Sequence, residues 1–370
     1  MAASLAALPG NEVLFASEYG RRDFSLPGVK RVLLKKPKDR KKAAASIPTP
    51  ALDAGERDWT MAYLRGRATA SSLMGVLAEG FEPDMVILSG SMGNGLFVRN
   101  LFPEAFLVGY ADWYFRDEAE TRYPLSTMPD IPLAPRNIRN TLQAKNFFDC
   151  NCHFTTTEWQ REQYPEGMRG FISVLRKCVD TEFFAPAPVS RFSFGDCELT
   201  ERQEIVTLSV RDAARLREGG FWCELPSLLS ARPDCHVVLI STGKEVRLDS
   251  LRESMAAFPS GMRGRIHLLD FLPPGAYRDL LCVSSLHLCK DISFMLPSEL
   301  LEAMSCGCVV LAPDTGAVRE VLSDGQNGFL YPSGRRMNWV MLITLLLERR
   351  SELLSIRRNA RKTVFGKHNK

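Results

Sequence analysis

No stretch of this 370-residue chain reaches the ~18 uninterrupted apolar residues that a membrane-spanning helix requires. The N-terminus, Met1-Ala-Ala-Ser-Leu-Ala-Ala-Leu-Pro9, lacks a basic n-region and a long apolar core, so it does not read as a secretory signal. Histidine is scarce. Cys150, Cys152 and His153 form the one tight Cys/His cluster, and no second pair lies at zinc-ligand distance. The cysteines sit singly or inside apolar runs such as Leu281-Cys282-Val283, the pattern of reduced, buried thiols rather than of a disulfide framework. With 45% hydrophobic and 24% charged residues, the composition is not that of a disordered chain. The expectation is a soluble, cytoplasmic protein without a metal centre.

Net charge is small, +4, but unevenly placed. Lys30, Arg31, Lys35, Lys36, Lys38, Arg40, Lys41 and Lys42 cluster near one end, and Arg357, Arg358, Arg361, Lys362, Lys367 and Lys370 near the other. Two solvated basic faces account for this, as does peripheral contact with anionic lipid headgroups or an acidic acceptor. Nucleic acid is not expected, because no interleaved aromatics accompany the charge.

Strand and helix patterns alternate. Asn11–Ala16, Lys30–Leu34, Met85–Leu88, Phe106–Tyr110, His153–Thr155 and Phe171–Leu175 read as strands, with helices over Trp59–Glu79, Arg136–Phe148 and from an N-cap at Thr157. A polar, Pro-containing passage, Ala185–Arg202, reads as a linker. The alternation then restarts with strands at Glu204–Val210, His236–Ser241, Ile266–Leu268, Leu286–Cys289, Val309–Ala312 and Gly328–Tyr331, and helices at Phe221–Ala231, Pro273–Leu280 and Ser298–Ser305. Two such blocks predict an α/β protein of two doubly wound domains, with ligands at the C-terminal strand ends. His236, His267 and His287 fall in apolar strands and read as core.

Ser293–Pro332 is the most informative segment. A strand ends, a loop runs to Pro297, and a helix opens at Ser298 with Pro and Ser in favoured first-turn positions. A helix N-terminus of this kind suits a diphosphate, and Glu302, one turn in, can accept both hydroxyls of a ribose. Gly307 ends the helix, and Asp324-Gly325 supplies a turn before the last strand.

The segment resembles the nucleotide-sugar motif of family-4 (group 1) retaining glycosyltransferases, whose pattern is E-x7-E, A-x-x-x-G-x-P-V, a glycine-containing loop, E-V and D-G-x-x-G. Glu302, Ala303, Gly307, Val309, Val310, Glu320, Val321, Asp324, Gly325 and Gly328 fall into that order. Val174–Pro186 is similar to the family's interdomain segment V-I-P-N-G-V-D-T-x-x-F-x-P, and Leu107–Phe115 and Thr156–Gln163 resemble elements lining the cleft. The resemblance implies the GT-B fold: two Rossmann-like domains facing a central cleft, an acceptor-side domain over 1–187, a linker over 188–202 and a nucleotide-sugar domain over 203–370. It implies a transferase that moves a sugar from a nucleoside diphosphate sugar to a glycan, lipid-linked or protein acceptor, with the donor as substrate and no cofactor. Donor contacts then fall to Phe294, Met295, Leu296, Pro297, Ser298 and Glu302. Arg211 and Arg217 map onto the basic pair that meets the leaving diphosphate, and Gly93 and Gly95 bound the acceptor side.

The departures from the pattern are specific. Phe294 stands where the first Glu of E-x7-E belongs, a feature of one bacterial branch, and Lys177-Cys178 replaces an Asn-Gly. No His follows Phe106–Tyr110, which leaves Asp112 as the acidic group for a role near the reacting centre or as a turn cap. The N-terminal region lacks a Gly-rich loop and long helix. These changes also fit a catalytically impaired GT-B-like protein that binds a ligand or partner. Ser89–Gly95 carries glycines as G-x-x-G-x-G, not the dinucleotide G-x-G-x-x-G, so NAD or FAD is not expected. The short stretch after Val364 leaves little length for a return helix, which predicts a hinge near Ala185–Arg202.

Overall fold

The computed structural model describes residues 2–18, 26–35, 54–116, 133–188, 191–218, 220–242, 248–290, 295–332, 337–350 and 352–369. Contacts divide them into two units, one reaching Leu175 and the other beginning at Arg176.

In the first unit β1 (Val13–Ser17) and β2 (Val29–Leu33) pair in parallel. A parallel sheet follows, ordered β3 (Met85–Ser89), β4 (Phe106–Tyr110), β5 (Cys152–Thr155) and β6 (Ile172–Val174), with Met85 opposite Phe106 and Val108 opposite Cys152. Parallel neighbours need long crossovers; the helix Leu133–Asp149 lies in the β4-to-β5 crossover, and the helix Ala54–Ala78, which precedes β3, packs on it. Leu73, Val98, Phe102, Ala105 and Leu107 form the core between helix and sheet. Thr157 caps its helix, its hydroxyl accepting from the Gln160 amide at 3.1 Å.

The second unit opens with an antiparallel hairpin, β7 (Arg191–Phe194) and β8 (Cys197–Thr200). Its main sheet contains β9 (Glu204–Val210), β10 (Cys235–Ser241), β11 (Ile266–Leu269), β12 (Leu286–Leu288), β13 (Val309–Pro313) and β14 (Phe329–Tyr331). All pairs are parallel, in the order β11-β10-β9-β12-β13-β14, so the direction of winding reverses between β9 and β12. Residues Ile205–Val210 and Val237–Ser241 are buried along their length, which is why these strands read as nearly unbroken apolar runs rather than alternating ones. None of the described helices is long and apolar enough to cross a membrane.

Two expectations are corrected. The 188–202 linker contains a built element: Phe192, Cys197 and Leu199 of the hairpin are buried against Ile205, Val238 and Leu280. Part of the passage expected to hinge, from Phe192 to Leu199, is thus packed into the second unit. The helix Leu354–Lys367 ends where His368 and Asn369 add backbone contacts to Val179, closing that unit on itself. The C-terminal basic cluster is not simply a solvated face. Arg357 donates to the Gly307 carbonyl at 2.6 Å, and Arg361 to the carbonyls of Thr181, Phe184 and Ser305. In the N-terminal basic cluster, residues 36–42 lie outside the described residues. The histidines sit in strands as expected: His287 is fully buried with its Nδ1 2.9 Å from Thr207 Oγ1, and His236 bonds His267 on the neighbouring strand.

If the hairpin is part of the core, Leu199→Ala should cost about 2–4 kcal/mol, the usual range for emptying a buried leucine site. Urea denaturation checks this, since a leucine in a solvated linker could be removed at almost no cost.

Candidate functional site

Because β9 and β12 run parallel, both deliver their following residues to the same edge of the sheet, at the reversal of strand order. Arg211 directly follows β9, and the chain leaving β12 enters the helix Ser298–Ser305. That helix begins after Pro297, which is extended (ψ 143°) and provides no side-chain cap. Its first-turn N–H groups are therefore not taken up by their own N-cap side chain, and the positive end of the helix dipole there favours negative charge, of which Glu299 in the first turn supplies one.

Glu299 and Glu302 lie three residues apart, on one face of this helix. Glu299 is 9% exposed and pairs with Arg211 across 3.7 Å. Arg211 is itself well exposed, so the pair contributes orientation more than stability. A second cation comes from Lys177, whose Nζ donates to the Leu296 carbonyl at 2.8 Å. Burial, and secondarily Arg211, push the Lys177 ammonium below its ordinary range, while Glu302 and Glu299 oppose the shift. Burial, then the charge of Glu299, push the Glu302 carboxyl up to about 7, with Lys177 opposing. The Tyr277 hydroxyl is buried beside Ser209 and these carboxylates without a well-formed hydrogen bond, and burial holds its phenol well above the usual value.

The far end of the helix is tied down. Gly307 adopts φ +71°, the left-handed turn that ends it. Ser305 Oγ donates to the Phe184 carbonyl, and Arg361 bonds both Ser305 and Thr181. The basic residues near the C-terminus thus fix the direction in which the helix N-terminus points.

Of the donor-side residues read from the sequence, Leu296 and Pro297 are buried, Met295 and Ser298 are exposed, and Glu302 is half-buried, all at the helix start. Arg211 is brought to the same edge. Phe294 lies outside the described residues. Arg217 stands exposed on the helix Ala213–Glu218, and the cation facing the carboxylates beside Arg211 is Lys177 instead. Glu299 and Tyr277 were not anticipated. Glu299 had a signal, its three-residue spacing from Glu302, whereas Lys177 is 119 residues from its Leu296 partner.

In the first unit Asp112 follows β4. Its Oδ1 accepts from the Trp113 amide at 2.9 Å and from the Gln143 side chain. Burial pushes its carboxyl up, opposed by hydrogen bonds led by Ser91. Asp112 thereby caps its turn and also joins the Ser89–Gly95 loop. Gly93 and Gly95 have a packing reason. Gly93 has φ +91°, and a Cβ there would sit 2.4 Å from the Ala62 carbonyl. A Cβ on Gly95 would meet Leu88 at 2.8 Å. Among the described residues no group of three or more His, Cys, Asp or Glu side chains could hold a metal ion.

Two parallel-sheet units, the second with the Rossmann strand order, define the class of protein, and solved structures agree. Sucrose-phosphate synthase from Thermosynechococcus elongatus superposes with a TM-score of 0.65 at 13% identity, covering 100% of this chain and 87% of that one. The Anabaena protein HepE in complex with UDP-glucose gives 0.61 at 13% identity, covering 93% and 82%. The fold is GT-B. Residues 9–184 match the family described as glycosyl transferase family 4 group, and residues 225–363 match glycosyl transferases group 1. The chain belongs to these glycosyltransferases. Alpha-maltose-1-phosphate synthase of Mycobacterium tuberculosis is 27% identical over 169 residues, 45% of this chain and 43% of that protein. Phosphatidyl-myo-inositol mannosyltransferase of Mycolicibacterium smegmatis is 30% identical over 154 residues, 42% of this chain and 37% of that protein. The matched regions span less than half the length of these relatives.

Glu302 provides a stability test. Its carboxyl titrates near 7 in the folded chain against an ordinary 4.5. The folded state therefore keeps a proton that the unfolded chain loses, and stability falls as pH rises between those values. Glu302→Gln should match the wild type near pH 4.5 and exceed it by about 1–2 kcal/mol at pH 8. Denaturation curves showing no such difference between the two pH values reject the buried-carboxylate account.

Proposed function

We propose that this chain transfers a sugar, with retention of configuration, from a nucleoside diphosphate sugar to an acceptor of the glycan, lipid-linked or protein class. The observation that carries this reading is the Glu299/Glu302 pair on an N-terminally open helix, faced by Arg211 at the strand-order reversal. Glu302 accepts the ribose hydroxyls. The helix N-terminus and Arg211 receive the diphosphate, on which negative charge grows as the sugar–phosphate bond breaks. Leu296 and Pro297 form the apolar floor beside the donor, with Met295 on the sugar side; in the sequence, Phe294 puts a residue without charge where the family has a Glu. No resident cofactor is needed in this scheme. The acceptor is assigned to the first unit, with Asp112 and the Gly93–Gly95 loop at its boundary. HepE supports the donor class, because its solved complex holds UDP-glucose.

Phe294 and the Lys177-Cys178 replacement favour a second reading, a GT-B protein that binds a donor without turning it over. Melting temperature across a panel of sugar nucleotides identifies the donor, since a ligand of the native state raises it. Release of free nucleoside diphosphate from that donor then supports the transferase, and saturable binding with no release supports the second reading.

The two principal roles separate in mutants. Glu302→Ala should weaken nucleoside diphosphate binding by about 1.5–3 kcal/mol, as for a lost hydrogen bond to a charged group. Arg211→Ala should lower kcat more than it weakens donor binding, because the charge it meets develops in the transition state. Equal losses in kcat and donor affinity would reassign Arg211 to ground-state binding.

A further inference from the structure

Lys177 is the residue of the donor site for which the family pattern offers no role, since an Asn stands at that place in the resemblance. Its backbone is held more firmly than an ordinary loop residue. The Lys177 carbonyl accepts from His368 Nδ1 at 2.8 Å, and the Val179 amide donates to the His368 carbonyl at 2.8 Å. Val179 also bridges to Asn369, while His368 is only 3% exposed. Two residues beyond the last helix thus fix where the Lys177 side chain starts.

The ammonium then reaches the Leu296 carbonyl, one residue before the N-cap Pro297. An ammonium carries three donors, and that carbonyl takes one of them. Around it stand Arg211, Glu299 and Glu302, two cations against two carboxylates. Taking a lysine out of water for a neutral carbonyl is unfavourable by itself. Burial and the neighbouring Glu299 keep the Glu302 carboxyl protonated up to about pH 7, so the two cations outweigh the ionised carboxylate, and an anion delivered to the helix N-terminus supplies the counter-charge. Arg217, the sequence's choice for a second cation, is exposed on its own helix and does not meet this need.

We propose that Lys177 is the second cation of the donor site and binds the diphosphate directly, in the place the sequence assigned to Arg217. The inference rests on the nucleotide-sugar reading above and makes the diphosphate subsite particular to this chain. Lys177 is a point charge with rotatable donors, so it serves a diphosphate whose charge shifts as the leaving group departs. The C-terminal residues His368 and Asn369 act through it, by holding its backbone.

The test compares nucleosides with their diphosphates. The full chain and the variants Lys177→Met, Lys177→Gln and Lys177→Arg are titrated calorimetrically with each common nucleoside diphosphate and with the corresponding nucleoside. Lys177→Gln, one bond shorter, still offers an N–H toward the Leu296 carbonyl but no charge, so beside Lys177→Met it helps separate ligand binding from loop support. The expected result is that Lys177→Met and Lys177→Gln weaken diphosphate binding about tenfold or more and nucleoside binding by less than about twofold, with Lys177→Arg close to wild type. Wild-type affinity for the diphosphate should also fall more steeply with salt than that of either neutral variant. Equal weakening of nucleoside and diphosphate in Lys177→Met, relieved in Lys177→Gln, overturns the proposal in favour of a purely structural bond to Leu296. Unchanged diphosphate binding in all three variants overturns it as well. A wild-type chain that binds no nucleoside diphosphate overturns the nucleotide-sugar reading and this inference together.

Discussion

The pairing of β9 with β10 on one side and β12 on the other is the constraint on which the second unit depends. Ile205, Val206, Leu208 and Val210 are buried, and the backbone of β9 has parallel partners on both edges. Such a strand cannot slip by one residue without turning every side chain onto the opposite packed face and drawing Glu204 or Arg211 toward the core. Its register therefore decides where Arg211 emerges. The neighbouring β12, locked to β9 through Leu286–Val206 and Leu288–Leu208, decides where the chain toward Ser298 departs. The charged groups of the site need no strong attraction to assemble, because the sheet places them.

That placement has a thermodynamic consequence. Two carboxylates three residues apart, one of them 9% exposed, are unfavourable neighbours in a partly desolvated crevice. Burial and then Glu299 push the Glu302 carboxyl up, while burial and then Arg211 push Lys177 down against the pull of both carboxylates. Stability elsewhere offsets this cost. The helix carrying the carboxylates is anchored at its other end by Arg357, Arg361 and Ser305, and by Gly307 in a conformation that a residue with a Cβ rarely adopts. Rigid support at one end and an unsatisfied electrostatic balance at the other are what a binding site for an anionic, ribose-bearing ligand requires.

Much of this was legible in the chain. HVVLIS and EIVTLSV announce themselves as buried parallel strands, and Ser298–Ser305 was bounded correctly by its Pro and Gly punctuation. The hairpin was not read, although its signal was present. Phe192 and Phe194, then Cys197 and Leu199, alternate around Gly195-Asp196, and Gly195 has the positive φ of +58° that a two-residue turn uses. The surrounding prolines made the passage look like a linker. Arg357 and Arg361 were misread for a different reason, since composition cannot tell a solvated guanidinium from one that satisfies buried carbonyls. The role of Lys177 escaped because its contact with Leu296, 119 residues away, leaves no local pattern, whereas Glu299 had one in its three-residue spacing from Glu302. In the first unit the glycines of Ser89–Gly95 suggested ligand contact, and the structure gives Gly93 and Gly95 a packing role against Ala62 and Leu88.

The central claim is that the switch between β9 and β12, with the helix beginning at Ser298, is the donor site. Hydrogen–deuterium exchange of the full chain, with and without the nucleoside diphosphate that most raises its melting temperature, addresses this directly. The account predicts ligand-dependent protection at 295–303 and at the end of β9 through Arg211, with the outer face around Glu224 and Met341 unchanged. Protection confined to the first unit, around Ser89–Gly95 and Asp112, would contradict it.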